Sequence, residues 1–129
     1  MNSTILYLDD ESACLDLFRD VFGREYDVRV ARTPDEARRM LRERAADLVI
    51  SDQQMPGMSG TDFLREVSVL CPESRRMLLT GRVTVGSVLP DVGDGLVQIF
   101  APKPWTAEEM REMLERARAS PASAAARKL

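Results

Sequence analysis

Four places in the chain carry side chains able to do chemistry, and each sits at the end of a short apolar run. Asp9 and Asp10 follow the run 5–8, Asp52 follows 48–51, Thr80 closes 77–80, and Lys103 lies just beyond 97–101. In doubly wound α/β sheets the ligand crevice lies beyond the carboxyl ends of the strands, so these residues are expected at one rim. Three carboxylates there repel one another by roughly 4 kcal/mol per pair at about 4 Å and an effective dielectric near 20. Such a cluster needs a cation. Mg²⁺ fits best, because it accepts one or two carboxylates, keeps waters and takes a phosphate oxygen. A lysine and a threonine hydroxyl beside it suit the remaining oxygens of a phosphoryl group. The carboxylate of Asp52 is then the nucleophile, forming an acyl phosphate.

Each element has a plainer reading when taken alone. An Asp-Asp pair after a strand commonly caps a helix. Lys103, between Pro102 and Pro104, could be an exposed turn lysine, and Thr80-Gly81 only a strand ending at a turn. Their joint appearance, each at its own strand's end, is what points to chemistry.

The elements that position these residues alternate along the chain. Strand-like runs at 5–8, 26–31, 48–51, 77–80 and 97–101 are mostly apolar on both faces, as expected of parallel strands covered on both sides. Between them, apolar residues recur at helical spacing: Cys14, Leu17, Phe18 and Val21; Ala37, Met40, Leu41 and Ala45; Phe63, Val67 and Leu70. Thr33-Pro34-Asp35-Glu36 and Thr106 with Glu109 read as capping boxes, and Ser59 to Asp62 offers a similar start. Trp105 and Met110 are spaced for a hydrophobic staple ahead of a last helix whose stripe is Met110, Met113, Leu114 and Ala117. The segment 83–95 carries Gly86, Pro90, Gly93 and Gly95, so the fourth helix is expected to be short or kinked and to end near Leu89. Five such units give an α/β doubly wound, three-layer domain over residues 1–119, with 120–129 a linker or tail.

Composition removes several function classes. A length of 129 residues suits one domain, with 44% hydrophobic and 30% charged residues. A net charge of -3 argues against direct nucleic-acid binding. The arginines of 36–44 alternate with acids and read as a solvated helix face. The start has no basic leader and a four-residue apolar run only, so neither a signal peptide nor a membrane span is expected there. Cys14 and Cys71 lack metal spacing and read as reduced structural thiols of a cytoplasmic protein. The count of histidines is zero, so His-based catalysis and a histidine phosphoacceptor are excluded within this sequence.

The motifs "LDDE" (8–11), "SDQQMPGMSG" (51–60), "LLTG" (78–81) and "KPW" (103–105) together resemble the receiver domain of two-component response regulators. The resemblance runs from residue 3 to about 119. It implies a flavodoxin-like five-stranded sheet of order 2-1-3-4-5. It implies Asp52 as phosphoacceptor, with Asp9, Asp10, Asp52 and the backbone carbonyl of Gln54 holding Mg²⁺. Lys103 would pair with the phosphoryl group and Thr80 would move to hydrogen-bond it. Phe100, three residues before the lysine, would turn inward as the switch, changing the face formed by the fourth helix, fifth strand and last helix. Gln54 and Arg82 would flank the path of attacking water.

The resemblance also bears on partners. Without a histidine the phosphoryl donor lies elsewhere: a histidine kinase, a phosphotransfer protein or a small acyl phosphate. The chain would be no enzyme in the ordinary sense, though it could catalyse its own phosphorylation and dephosphorylation. An output domain beyond the linker, or a homodimer through the switch face, would read the signal. Two alternatives stand beside it. One is a phosphorylation-independent interaction module of the same fold, although all five site residues are present. The other is a Mg²⁺-dependent aspartyl phosphatase, for which the nucleophile stands after the wrong strand and no cap is evident.

Overall fold

Short runs rich in Leu, Ile and Val that are apolar on both faces can be buried only in the middle layer of a three-layer domain. The computed structural model describes residues 3–81 and 95–119. In it the strands β1 (Thr4–Leu8), β2 (Asp27–Ala31), β3 (Leu48–Asp52), β4 (Arg75–Thr80) and β5 (Ile99–Pro102) form one parallel sheet of order β2-β1-β3-β4-β5. The expected fold class and strand order are both present.

Successive residues of each strand point to opposite faces, which sorts the core into two layers. Ile5 and Tyr7 of β1, with Ile50, Met77 and Leu79, pack under α1 (Ser12–Phe22) and α4 (Ala107–Ala119). Leu6, Leu8, Val49 and Leu78 pack under α2 (Pro34–Glu43) and α3 (Gly60–Leu70). The first layer holds an aromatic cluster: Phe18 stands 5.1 Å from Tyr7, 4.9 Å from Phe22 and 6.0 Å from Trp105, centroid to centroid.

The caps form where the spacing predicts. In α4 the reciprocal box is complete: Glu109 N–H donates to Thr106 Oγ1 at 3.1 Å, and Thr106 N–H to Glu109 Oε1 at 3.0 Å. Trp105 and Met110 share the first core layer. In α2 the Thr33 hydroxyl accepts from Glu36 N–H, but Glu36 reaches one residue further back, to Arg32 N–H. Ser59 caps α3 through Asp62 N–H.

Three stripe positions depart from the helical periodicity. Leu17 is half-exposed, while Leu15 and Phe22 turn inward with Phe18. Ala45 is exposed because α2 ends at Glu43, leaving Ala46 to enter the core, and Leu70 emerges at the end of α3. β4 begins earlier than its apolar residues suggest. Arg76 is buried there because its guanidinium donates to the carbonyls of Ser74 and Leu96, satisfying a cation that would otherwise be costly to bury.

The expected solvated arginine face is only partly one. Arg39 and Arg42 are exposed, whereas Arg38 pairs with Glu66 of α3 at 2.7 Å and Arg44 with Asp27 at 2.8 Å. Both cysteines are free thiols. Among the described residues no helix is long and apolar enough to cross a membrane. The expected fourth helix, Arg82 and the segment 120–129 lie outside the described residues.

Candidate functional site

Parallel strands that start together end together, so the register decides which side chains meet. Leu8 stands opposite Ser51, and Asp52 opposite Leu79, placing the carboxyl ends of β1, β3 and β4 side by side. Asp9, Asp10 and Asp52 converge there, with carboxylate oxygens all within 4.8 Å of one another. Asp9 and Asp52 are 0% and 4% exposed, too buried for water to screen their repulsion.

Lys103 answers that charge. It follows β5, whose neighbour is β4, and its backbone N–H donates to Thr80 O. The ammonium lies 3.0 Å from Asp9 Oδ2, 3.2 Å from Asp52 Oδ2 and 2.7 Å from Glu11 Oε1. Burial works against its charge, but Glu11, Asp9 and Asp52 outweigh it and hold the lysine well above its usual pKa. Lys103 is no plain turn lysine.

Asp9 does two jobs. Its Oδ1 accepts Glu11 N–H at 3.0 Å, an Asx turn just ahead of α1 and not an N-cap, which falls to Glu11. Its Oδ2 faces the cluster and takes the Tyr7 hydroxyl at 2.7 Å as well as Lys103. Glu11 is the N-cap residue of α1 by position, yet its side chain makes no cap and reaches Lys103 instead.

Asp52 has its pKa raised, first by burial and then by the charge of Asp9; Lys103 and the Gln54 backbone N–H offset part of this. A carboxyl whose folded pKa lies above its unfolded one favours folding only while protonated. That contribution is full below the unfolded value, near pH 4, and is lost as pH rises through the folded value. Ionised Asp52 is therefore a burden on the metal-free fold at neutral pH. Asp52→Asn is expected to raise the metal-free melting temperature by a few degrees at about pH 7.5, with the gain vanishing toward about pH 4. Thermal melts in chelator across that range check it, and an unchanged or lower value at neutral pH would contradict it.

The remaining expected residues divide by position. Thr80 is buried at the rim, its hydroxyl donating to Gly81 O at 3.0 Å. Gln54 is exposed and lines an open cleft of about 550 Å³ over the acidic cluster, along with Asp10, Asp52, Gly81, Lys103 and Trp105. Phe100 is half-buried opposite Leu78, against the α2–α3 layer and not among the acids.

Three residues of the site were absent from the expectations. Tyr7 had a signal, since alternation along β1 puts it on the same face as Asp9. Glu11 closes the LDDE motif, but its pairing with Lys103, 92 residues away, had no local signal. Gly60, the first residue of α3, packs on the backbone of Asp52: a Cβ there would lie 2.3 Å from Asp52 O.

The chemistry of the donor set fits a hard divalent cation, with three carboxylates converging and a cleft open to water above them. Comparison with known proteins shows the family. The family model for the response regulator receiver domain matches residues 5–115. The chain is 29% identical to the hydrogenase transcriptional regulatory protein HoxA of Cupriavidus necator, over 89% of this chain but 24% of that protein. It is 27% identical to sporulation initiation phosphotransferase F of Bacillus subtilis, over 90% of this chain and 94% of that one. It thus spans about a quarter of the first relative and nearly all of the second. A response regulator receiver domain protein from Clostridium thermocellum superposes with a TM-score of 0.81 at 29% identity, covering 89% of this chain and 93% of that one. With its sheet order, its acidic rim and a family match over most of its length, the chain belongs to the response regulator receiver domains of two-component signalling.

Proposed function

We propose that residues 1–119 work as a phosphoacceptor domain in which Asp52 takes a phosphoryl group from an external donor. The single observation that carries this is the buried Asp52 carboxylate, held 3.2 Å from the Lys103 ammonium and reached through the open cleft. Asp9, Asp10, Asp52 and the Gln54 carbonyl would hold Mg²⁺, which supplies charge neutralisation for the incoming phosphoryl oxygens.

The Asp52 carboxylate attacks phosphorus through one of its oxygens. The bond from phosphorus to the donor breaks, and its electron pair leaves with the imidazole nitrogen of a phosphohistidine or with acetate. Lys103 then has a phosphoryl oxygen to pair with in place of Asp52, a charge-assisted contact at the same position. The Thr80 hydroxyl leaves the Gly81 carbonyl for a second phosphoryl oxygen, and Phe100 turns toward the space it vacates. The result is a shift between two packings of the face carrying β5 and α4, which adds about two negative charges at the rim and nothing new to the fold. Gln54 and Arg82 govern how readily water reaches the acyl phosphate.

The donor is a histidine kinase or phosphotransfer protein in the cytoplasm. The reader of the changed face is an output module beyond the linker 120–129, a separate partner or a second copy of the chain. The coverage of a quarter of a transcriptional regulator supports the first of these.

Intact mass after incubation with Mg²⁺ and acetyl phosphate tests the reading. One added phosphoryl group is expected, absent in Asp52→Asn and absent with chelator. If neither acetyl phosphate nor beryllofluoride modifies a folded, Mg²⁺-binding protein, the domain is a phosphorylation-independent docking module.

A further inference from the structure

The Asp9 carboxylate is held by a side chain that the phosphotransfer reading does not use. Tyr7 is fully buried, and its hydroxyl donates 2.7 Å to Asp9 Oδ2, the same oxygen that receives Lys103. Together with Glu11 N–H on Oδ1, these contacts leave the buried carboxylate little freedom to rotate. The other side of Tyr7 belongs to the aromatic cluster. Its ring meets Phe18 edge-on at 5.1 Å, and Phe18 meets Trp105 edge-on at 6.0 Å. Trp105 also lines the cleft beside Lys103. A continuous set of contacts therefore runs from the Asp9 carboxylate, through the Tyr7 phenol and the Phe18 ring, to Trp105 in the loop between β5 and α4.

We propose that Tyr7 is a positioning residue for the cation site: its hydroxyl orients Asp9 and links occupancy of the acidic cluster to the Trp105 indole. This rests on the proposed Mg²⁺ site. Partners that orient a metal ligand from behind typically change affinity about 10–100-fold when removed. The link is separate from the Thr80 and Phe100 path, because Tyr7 packs in the α1–α4 layer and Phe100 in the α2–α3 layer. It gives the site a second route to the surface, through the loop that carries Lys103.

The chain has a single tryptophan, so its fluorescence reports on Trp105 alone. Mg²⁺ is titrated into wild type, Tyr7→Phe and Phe18→Leu, with affinity read by calorimetry and the indole by its emission. In wild type, Mg²⁺ is expected to bind and shift the emission. In Tyr7→Phe the affinity should fall about tenfold or more, with the emission shift lost at saturation. Phe18→Leu, which removes ring packing and leaves the hydroxyl, should lower the melting temperature with affinity retained. Tyr7→Phe binding less than threefold weaker, or tighter, overturns the positioning role while leaving the Mg²⁺ site intact. An emission that does not respond to bound Mg²⁺ in wild type overturns the link to Trp105 whatever the variants do. Absence of Mg²⁺ binding in wild type removes the cation site and this inference together.

Discussion

Lys103→Met will lower the melting temperature of the metal-free protein by roughly 12 °C at neutral pH, and millimolar Mg²⁺ will restore most of it. The reason is a charge imbalance that one ammonium holds in check. Lys103 sits 2.7 to 3.2 Å from Glu11, Asp9 and Asp52, two of which are almost wholly buried. Methionine keeps much of the packing and removes the charge, leaving Asp9 and Asp52 facing each other uncompensated. Breaking a buried pair from one side costs about 3–5 kcal/mol, and the exposed Glu11 places this case at the lower end. At about 4 °C per kcal/mol for a domain of this size, that is the expected drop.

The deficit should also depend on pH in one direction. Asp52 already has its pKa raised, by burial first and by Asp9 second, and the lysine is among the groups that lower it. Removing the lysine raises it further. A carboxyl with a raised folded pKa is favourable to the fold when protonated, so the deficit is full above the folded value and shrinks as pH falls through it. Melts of variant and wild type in chelator, compared across about pH 4.5–8, measure this. A deficit that neither acid nor Mg²⁺ relieves would make Lys103 a packing residue, not a counter-ion.

Gly60→Ala is the second large effect, and its cause is contact, not conformational freedom. Gly60 opens α3 with its N–H on the Gln53 carbonyl at 3.0 Å. A Cβ there would stand 2.3 Å from Asp52 O, 2.9 Å from Asp52 C and 2.8 Å from Leu78 Cδ1. Two of those atoms are backbone, so either the start of α3 or the end of β3 must move. Overpacking of this kind costs about 3 kcal/mol, again roughly 12 °C. The site suffers as well, since misplacing a reacting group by about 1 Å can cost on the order of 100-fold in rate. Phosphoryl incorporation from acetyl phosphate is therefore expected to slow at least tenfold in whatever protein folds. Gly81→Ala provides the control: among the described residues nothing lies within 4 Å of its Cβ position, and its melting temperature should stay near wild type. Equal melting temperatures for the two variants would show that α3 can step away from Asp52 without cost.

Much of the fold was legible in the chain because its signals are local. Apolar runs of strand length, helical stripes between them and caps at Thr33 and Thr106 all act over a few residues; the Thr106 box forms as read, and the Thr33 cap forms with Glu36 reaching Arg32 instead. Where the reading slipped, a longer-range contact won. Arg75 and Arg76 lengthen β4 because carbonyls from distant residues satisfy a buried guanidinium. Leu17 looks like a core residue at helical spacing but lies on the cleft side of α1, where the stripe Leu15, Phe18 and Phe22 leaves it outside.

The candidate site divides in the same way. By itself the sequence determined which residues stand at the strand ends, because strand termini and alternation are local properties. It therefore named Asp9, Asp10, Asp52, Thr80 and Lys103, and, through the period of two along β1, contained the clue to Tyr7. Only the tertiary structure decided what each one touches. The parallel register set Asp52 against Asp9, and the chain's return from β5 laid Lys103 across β1 and β3. That same return brought Glu11 into the ion cluster across 92 residues, and close packing pressed Gly60 onto the Asp52 carbonyl. Charge balance and close contact depend on distances between segments remote in the chain, and no local pattern of residues encodes those distances.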